Sequence, residues 1–437
     1  MTYAEALARL LALRGGEHAG MRPGLARIEA LLEALGNPEQ RYTLVQVGGT
    51  NGKGSTAAML AAVLRAAGRR VGLYTSPHLV SFRERIRVDG EAIGEDDVAD
   101  GFDALATQVA RLDATMFEAT TALALDHFAR EAVDVAVLEV GLGGRLDATT
   151  VGEPAVAAIA RIDLDHQEVL GSTLEAIARE KAAIIRSGIA VAAAQAPEAA
   201  AVLRARAAET GVPLQMEGRE LAVRVTARDL AGQTLELAGP GWRLDAARIP
   251  LLGTFQPANA LLAAAAARAL DVDAAAIREG LARARWPGRF EVLRAGDRHV
   301  VLDGAHNPGG ARALAASLAE WFGDAPLTLV FAAFRDKDAA AMLAPLTARA
   351  HRVILTASSS PRAAAPEALR AHVPAGVAQV ETAPSAAEAL ALAARPPRTP
   401  ILCVAGSLTL IGDVLRAAHG DKPCPIEKPA DSMGSLF

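Results

Sequence analysis

The segment from residue 44 to residue 56 combines residues that could hold phosphate. It reads Leu-Val-Gln-Val-Gly-Gly-Thr-Asn-Gly-Lys-Gly-Ser-Thr, an apolar run and then a glycine-rich turn with a lysine and two hydroxyls. Glycines permit a turn whose backbone N–H groups face inward, and the N-terminus of a following helix adds unpaired donors. The pattern predicts a loop for nucleotide phosphates, with Lys53 on the terminal phosphates and Ser55 supplying an oxygen to Mg²⁺.

The spacing of this loop departs from the common phosphate loop, G-x-x-x-x-G-K-[ST]. The glycines are closer together, and Gly54 separates Lys53 from Ser55. A chance glycine-rich turn is the alternative interpretation. The ordered succession of strand, turn, lysine, hydroxyl and helix favours the phosphate loop.

Three further segments place polar residues where apolar runs end. Glu139 closes the run 133–138, Ser76 follows the run 71–75, and His166 follows the run 155–162. In open α/β sheets, ligands bind at the carboxyl ends of the strands. Glu139 is therefore predicted to serve Mg²⁺ rather than to cap a helix, and Ser76 is a weaker second candidate. A structural role for His166 remains an equal alternative.

Lysine is rare in this chain. Lys and Arg total 45 residues, and only five of these are lysines. Because arginine serves wherever a generic positive charge suffices, a retained lysine indicates a need for a compact amine. Lys53, Lys181 and Lys337 each lie beside other chemically suggestive residues.

Lys181 belongs to a predicted helix, 173–186, and lies near its apolar face. A buried amine has a lowered pKa, which makes it able to react with CO₂. The alternative is an ordinary salt bridge to Glu175 or Glu180, and the residues alone favour that alternative.

The second half of the chain repeats the pattern of a carboxylate after an apolar run. Asp303 and His306 follow the run 299–302, and they are candidates for contacting a ribose or facing the first domain. The segment 334–338, Phe-Arg-Asp-Lys-Asp, follows the next run. Taken alone, it is better interpreted as a solvated charged loop.

The elements that must position these residues alternate between strands and helices. Apolar runs near 42–47, 71–75, 133–140, 155–162 and 189–194 are separated by Ala/Leu-rich helical stretches, and residues 213–250 have the alternation of β-hairpins. Trp-Pro-Gly at 286–288 marks a boundary, after which a second alternation begins. We expect an α/β protein: an N-terminal phosphate-loop nucleotide-binding domain with a parallel sheet and a small β-hairpin edge, then a C-terminal doubly wound Rossmann-like domain.

The predicted domains are 1–287 and 288–420, with a loose tail at 421–437. Net charge is −5, so there is no bulk attraction to nucleic acid, and two cysteines form no disulfide framework. The sequence has no run of 18 uncharged apolar residues, and its first residues lack the basic start, apolar run and small-residue cleavage site of a signal peptide, so we expect neither a membrane span nor a signal peptide. We expect a cytoplasmic monomer that acts on small molecules, without nucleic acid or membrane partners.

Several segments together resemble the folylpolyglutamate synthase/dihydrofolate synthase family, within the Mur-type ATP-dependent ligases. They occur in family order and cover nearly the whole chain: GTNGKGS 49–55, SPHL 76–79, FEAT 117–120, LEVGLGGRLDAT 138–149, LDH 164–166, REKAAI 179–184, Asn259, GRF 288–290, DGAHNP 303–308 and DKD 336–338. No single segment is specific for this family, but their combination in this order is highly specific for it.

The resemblance implies ATP, two Mg²⁺ ions and, as a further candidate, a monovalent cation. The implied ATP contacts are Gly49, Thr50, Asn51, Gly52, Lys53, Gly54, Ser55, Asn259, Arg289, Asp303 and His306. The implied metal ligands are Ser55, Ser76, Glu139, His166 and Lys181. Lys181 resembles the family's carbamylated lysine, which reverses the interpretation from the residues alone. The implied catalytic residues are Lys53, Lys181, His166 and Glu139.

The substrate contacts implied by the resemblance are Gly24, Phe117, Glu118, Arg145, Asp147 and Thr150. Members that accept dihydropteroate tend to have an acidic residue where Arg22 stands and leucine where Pro23 stands. Asparagine is usual where Thr150 stands. The departures at Arg22 and Pro23 concern contacts to dihydropteroate, and the departure at Thr150 concerns a hydrogen bond to the substrate.

The implied reaction is ATP-dependent addition of L-glutamate to a folate, and to dihydropteroate, through an acyl phosphate. Two alternatives remain at this point. One is a Mur-type cell-wall ligase, against which the FEAT, SPHL and LEVGLGGRLDAT segments argue. The other is a phosphate-loop kinase or nucleotide switch without ligation, which would not need a second domain carrying DGAHNP.

Overall fold

The structure is a computed structural model that describes residues 1–14 and 24–424. Its first α/β unit is built on a sheet that, within the described residues, has eight strands. These are β1 Thr43–Gly48, β2 Val71–Tyr74, β3 Ile86–Val88, β4 Glu91–Ala92, β5 Val135–Glu139, β6 Val156–Ile159, β7 Ile189–Ala192 and β8 Leu214–Met216. Their order is β4-β3-β2-β5-β1-β6-β7-β8.

The central strands of this sheet are buried on both faces. β2, β5, β1, β6, β7 and β8 run parallel, whereas β3 and β4 pair antiparallel at one edge. All residues of β5 are buried, as expected for a parallel strand covered by helices on both sides. Because β1 and β5 are neighbours in register, Glu139 lies beside Val47, next to the segment that follows β1.

Helices cover both faces of the first sheet. They are α1 Tyr3–Ala12, α2 Ala26–Ala34, α3 Lys53–Ala66, α4 Glu95–Leu112, α5 Met116–Arg130, α6 Gln167–Leu170, α7 Leu174–Ala182, α8 Pro197–Thr210, α9 Gln256–Ala269 and α10 Ala274–Arg283. One apolar core joins the sheet to α3, α9 and α10, and a second joins it to α1, α2, α4 and α5. Helices α7 and α8 cover β6 and β7 through a third core.

A separate antiparallel sheet packs on α9 and α10. In the described part of the chain it has three strands, β9 Ala222–Asp229, β10 Gly232–Gly239 and β11 Trp242–Ile249, in the order β11-β10-β9. Its inward side chains, including Leu235 and Leu237, join the same core as α3.

The second α/β unit has its own sheet and cores. Its strands are β12 Glu291–Ala295, β13 Arg298–Asp303, β14 Leu327–Phe331, β15 Ala350–Thr356, β16 Gln379–Ala383 and β17 Ile401–Ala405. The order is β12-β13-β17-β14-β15-β16, parallel except for β12. Helices α11 Pro308–Phe322, α12 Ala339–Thr347, α13 Pro366–Arg370, α14 Ala386–Ala393 and α15 Leu408–His419 cover it.

The α/β class and its two sheets agree with the sequence prediction, with three differences. The hairpin prediction for 213–250 is wrong at its start, because Leu214–Met216 is parallel edge strand β8 of the first sheet. The first sheet is mixed rather than fully parallel. Strand β12 was not predicted. Strands β3, β4 and β8 have three residues or fewer, so they show too little periodicity to be recognised. The domain boundaries 1–287 and 288–420 stay a prediction.

None of the helices in the two described ranges is both long and apolar enough to cross a membrane.

Candidate active site

The glycine-rich turn leads from the carboxyl end of β1 directly into α3. Gly49 and Gly52 have φ angles of 130° and 98°, in the region that favours glycine. A Cβ at Gly52 would lie 2.4 Å from Asn259 Oδ1, and one at Gly49 would lie 2.9 Å from the Ala160 carbonyl oxygen. Two glycines are therefore required here by backbone conformation and by close packing.

The backbone of this turn is only partly available to a ligand. The N–H groups of Thr50 and Asn51 donate to the Arg161 carbonyl at 2.8 and 3.1 Å. The N–H groups at the start of α3 have no partner within a helix. The backbone N–H groups that the fold leaves available to a ligand are therefore those from Gly52 to Ser55.

The polar side chains of the turn are held by neighbouring groups. Lys53 Nζ donates to the Thr50 carbonyl at 3.2 Å. The Ser55 hydroxyl is buried and accepts from Gln256 Nε2 at 3.3 Å, and the Gln256 Oε1 accepts from Asn259 Nδ2 at 3.0 Å. Gln256 was missed in the sequence, although its position at the start of α9 beside the predicted Asn259 was a usable signal.

Glu139 and Ser76 come together at the carboxyl ends of β5 and β2. The Ser76 N–H donates to Glu139 Oε2 at 3.1 Å. Burial raises the pKa of the Glu139 carboxyl, while the Lys53 cation and the Ser76 N–H act in the lowering direction. A buried carboxylate near a lysine and beside a glycine-rich turn has the surroundings expected of a functional group.

Lys181 lies beneath the turn. Its side chain is buried, and Nζ donates to the Gly49 carbonyl at 2.9 Å. Burial, assisted by the Lys53 cation, lowers the pKa of Lys181 to about 7. The salt bridge considered from sequence is not formed, because Glu175 pairs with Arg179 and Glu180 with Arg145.

His166 follows Asp165 at the start of α6, and its side chain is 43% exposed. Partial burial lowers the pKa of His166 to about 4, with Lys337 acting in the same direction and Asp165 opposing them. The ring is therefore neutral near pH 7, the form in which histidine can accept a proton or bind a metal.

Asp303 and Arg289 meet where the linker enters the second unit. The Asp303 carboxylate accepts from the N–H of Phe290 at 2.7 Å and of Ala305 at 2.8 Å. Burial raises the pKa of Asp303 to about 6, opposed by the Arg289 cation. Burial lowers the pKa of Arg289, opposed by the carboxylates of Asp303 and Glu139, one from each unit.

Two residues of the second unit, Asn307 and Lys337, contact the first unit at and beside the glycine-rich turn, and the sequence alone assigned neither of them a role. Asn307 caps α11 and donates from Nδ2 to Asn51 Oδ1 at 3.0 Å and to Asp165 Oδ2 at 2.8 Å. Lys337 Nζ lies 2.7 Å from Asp165 Oδ1, with both side chains under 10% exposed. The solvated-loop interpretation of 334–338 is therefore wrong at Lys337. The rarity of lysine was the signal that pointed to it.

Asp165 is the centre of this contact. Burial acts to raise its pKa, but His306, His166 and Lys337 together hold the pKa below its usual range. His306 Nε2 lies 3.8 Å from Asp165 Oδ2, and its Nδ1 lies 2.8 Å from the Gly304 carbonyl. An ionised aspartate that follows β6 thus contacts two loops of the second unit, one carrying His306 and Asn307 and the other carrying Lys337.

Several of the predicted substrate contacts are bonded within the fold of the first unit. Glu118 caps α5 and pairs with Arg27 at 2.9 Å. Asp147 accepts from the N–H groups of Leu142 and Thr149. Thr150 accepts from Gln46 Nε2 at 2.7 Å and donates to the Gly144 carbonyl at 2.7 Å.

The remaining predicted substrate contacts differ in exposure. Arg145 is 57% exposed and pairs with Glu180. Phe117 packs 6.0 Å from Tyr74, measured between ring centroids. Gly24 has a φ of 124° with open space around it. Arg22 and Pro23 lie outside the described residues.

Side chains able to bind a metal are sparse around the turn. Among residues 1–14 and 24–424, no group of three or more His, Cys, Asp or Glu side chains is arranged to hold a metal ion. Glu139 lies at the carboxyl end of β5, beside the carboxyl ends of β1 and β2.

Comparison with known proteins gives matches over nearly the whole chain. Residues 47–267 match the Mur ligase middle domain, and residues 288–408 match the Mur ligase glutamate ligase domain. A dihydrofolate synthase/folylpolyglutamate synthase of Bacillus subtilis is 37% identical over 360 residues, covering 79% of this chain and 83% of that protein.

An archaeal relative from Haloferax volcanii is named a probable bifunctional folylpolyglutamate synthase/dihydropteroate synthase. It is 40% identical over 442 residues, covering 94% of this chain and 50% of that protein. The chain thus spans about half the length of the archaeal relatives it matches.

Among solved structures, a Mycobacterium tuberculosis folylpolyglutamate synthase complexed with ADP and AMPPCP superposes with a TM-score of 0.88. It is 36% identical, and the match covers 97% of this chain and 100% of that one. The same order of motifs, two matched Mur ligase domains and a shared fold lead to one conclusion. The chain belongs to the folylpolyglutamate synthase/dihydrofolate synthase family.

Proposed function

We propose that this protein is an ATP-dependent ligase that joins L-glutamate to a reduced folate, and also to dihydropteroate. The observation that carries the proposal is the contact of Asn307 and Lys337 with Asn51 and Asp165. It brings a second α/β unit directly against the phosphate-loop turn. A kinase or nucleotide switch needs only the first unit, whereas a ligase must also hold an amine beside the activated acid.

The proposed reaction has two steps. An oxygen of the substrate carboxylate attacks the γ-phosphorus of ATP, and the bond to the bridging oxygen breaks, releasing ADP and leaving an acyl phosphate. The glutamate amine then attacks the acyl carbon, and phosphate leaves with the electron pair of the C–O bond as the amine loses a proton. Lys53 and the N–H groups at the start of α3 stabilise the charge on the transferring group.

The chain's oxygen donors fit Mg²⁺. This ion is usually held by one or two carboxylates together with substrate phosphates and water, rather than by a protein cage. Ser55, Ser76 and Glu139 would hold one Mg²⁺, and His166 with Lys181 a second. When bound, the ion supplies neutralisation of the charge that builds up on the phosphate oxygens.

Lys181 is proposed to act as a carbamate. Its neutral nitrogen would bond to the carbon of CO₂ and release a proton to solvent, leaving an anionic oxygen near the second ion. The burial of this amine and its lowered pKa support the proposal, because only the neutral form reacts. Arginine could not replace it, since a guanidinium does not form this adduct.

The remaining parts of the proposal concern the nucleotide and the whole protein. Asn259, Arg289, Asp303 and His306 are proposed to contact ATP. The polar residues along the first unit, Glu118, Arg145, Asp147 and Thr150, are proposed to face the folate side together with Gly24 and Phe117. We further propose domains at 1–287 and 288–420 and a monomer that works in the cytoplasm.

Incorporation of labelled glutamate tests the proposal. Purified protein, ATP and Mg²⁺ are offered dihydropteroate, a reduced folate or a nucleotide-linked muramoyl peptide. Incorporation into a pterin substrate is expected. Incorporation into the muramoyl peptide alone would identify a cell-wall ligase. Hydrolysis of ATP without glutamate incorporation into any of the three acceptors would contradict the proposal and favour a nucleotide switch or kinase.

A further inference from the structure

The loop that carries Ser76 is held by a carboxylate outside the proposed site. Glu84, at 6% exposure, belongs to the 3-10 helix Phe82–Arg85. It accepts from the N–H of Leu79 at 2.8 Å, of Ser81 at 3.1 Å and of Val80 at 3.3 Å. An ionised carboxylate has about four hydrogen-bond acceptor positions, so N–H groups of this loop occupy most of the positions of Glu84.

The same carboxylate also binds the segment that follows the second unit, at the start of the stretch 421–437 that the sequence predicts to be a loose tail. Glu84 Oε1 accepts from the N–H of Cys424 at 2.9 Å, across 340 residues of sequence. The Cys424 carbonyl in turn accepts from Arg87 Nη2 at 2.7 Å. Residue 424, which follows α15, is therefore bonded on both sides of its backbone to the first unit.

Helix α15 itself packs on the loop. A Cβ at Gly412 would lie 2.0 Å from the Leu79 carbonyl oxygen, so glycine is needed for this approach. Arg416 Nη2 donates to the Val80 carbonyl at 3.2 Å. The loop thus lies between Glu139 of the first sheet, which accepts from the Ser76 N–H, and the last helix of the second unit.

We propose that Glu84 is a positioning residue that couples the geometry of the Ser76 loop to the docking of residue 424. The role assigned to Ser76 rests on the function proposed above. By linkage, binding of a metal–nucleotide complex at the loop and docking of residue 424 must favour each other by the same factor.

The two cysteines allow this coupling to be measured. Cys424 is partly exposed, whereas Cys403 is fully buried, so a thiol reagent reports on residue 424. The alkylation rate is measured in the full-length protein with and without Mg²⁺ and AMPPCP. The ratio of the two rates within one variant cancels differences in the intrinsic reactivity of the thiol.

In the wild type, Mg²⁺ with AMPPCP is expected to slow alkylation at least fivefold. In Glu84→Gln, which keeps the shape but loses the charge and part of the acceptor capacity, the ratio is expected to fall close to one. The matched control is Glu91→Gln, an exposed carboxylate that also lies near Arg87 and should keep the wild-type ratio. Equal protection in wild type and Glu84→Gln, or none in the wild type, would overturn the proposal.

A second pair of variants tests the coupling from the other side and leaves the loop sequence intact. Cys424→Pro removes the N–H that Glu84 accepts, whereas Cys424→Ala keeps it. Calorimetric titration with Mg²⁺ and AMPPCP is expected to show severalfold weaker nucleotide binding for Cys424→Pro, and wild-type binding for Cys424→Ala. Identical affinities in the two variants would contradict the coupling. Neither experiment uses a pterin or glutamate, so a failed ligation assay is a separate result.

Discussion

At the scale of single residues, Lys181 has the most altered chemistry in the site. Its amine is buried under the glycine-rich turn and donates to the Gly49 carbonyl, and no carboxylate among the described residues forms an ion pair with it. A buried ammonium without a carboxylate partner is costly, and the amine responds with a lowered pKa. The position therefore favours a neutral, reactive nitrogen.

The variant Lys181→Arg is expected to lose glutamate ligation by about 100-fold, a size typical of disturbed metal surroundings. A guanidinium keeps the positive charge but cannot form a carbamate. Initial rates of glutamate incorporation measure the effect, and a thermal melt verifies folding. The control is Lys422→Arg, at an exposed lysine. A wild-type rate for Lys181→Arg would remove the carbamate proposal.

The pH dependence of activity is expected to follow the neutral fraction of Lys181. With a pKa of about 7, lowered from 10.5, the neutral form increases as pH rises through 7, and about one amine in ten is neutral at pH 6. Activity should therefore fall on the acid side, and added bicarbonate should partly restore it. Rates are measured against pH at low and high bicarbonate. If bicarbonate did not change the loss of activity at low pH, titration and carbamylation of Lys181 would not be its cause.

At the scale of elements, the junction of β1 with α3 determines the shape of the turn. Gly52 is the residue just before α3 and has a positive φ. Its Cα lies against the side chain of Asn259 on α9. A glycine at this position therefore serves two needs: a left-handed backbone and close approach of two helices.

The variant Gly52→Ala is expected to weaken AMPPCP binding by tenfold or more. Backbone strain of about 1–3 kcal/mol adds to a Cβ contact of 2.4 Å with Asn259 Oδ1. The control is Gly68→Ala, after the end of the same helix, where φ is 77° but the space around the Cα is open. Both should lower the melting temperature, but only Gly52→Ala should change the dissociation constant. Equal affinities would contradict the role of the close approach.

Most elements around the site were predictable because their patterns are strong. The buried run ending at Glu139 and the helix carrying Lys181 appear where the sequence predicts them. Strands β3, β4 and β8 have three residues or fewer, and their place at the sheet edges is decided by neighbouring strands rather than by their own sequence.

At the scale of the whole molecule, the two α/β units meet across the turn. Lys337 and Asp165 form a buried ion pair between them, and Asn307 bonds to both Asn51 and Asp165. Removing one partner of a buried ion pair typically costs about 3–5 kcal/mol, because a charge is left without compensation.

Lys337→Met is therefore expected to loosen the docking of the second unit. Small-angle X-ray scattering should show a larger radius of gyration, and limited proteolysis should cut faster in the linker near residues 286–288. The control is Arg362→Met, which breaks the Asp336–Arg362 pair inside the second unit. Equal compactness of Lys337→Met and wild type would show that this pair does not hold the units together.

The sequence by itself determined the two alternations of strand and helix, the glycine turn with Lys53 and Ser55, and the carboxylate Glu139 at a strand end. These are local features, since each depends on side chains a few residues apart. The rarity of lysine also pointed correctly to Lys337, although the local sequence suggested a solvated loop.

Only the tertiary structure decided which groups meet across long stretches of chain. Lys181 bonds to Gly49 rather than to Glu175 or Glu180, Lys337 reaches Asp165, and Glu84 joins Leu79 to Cys424. The physical reason is that burial, partner choice and pKa depend on what the folded chain brings within a few ångströms. Spacing along the sequence does not specify those neighbours.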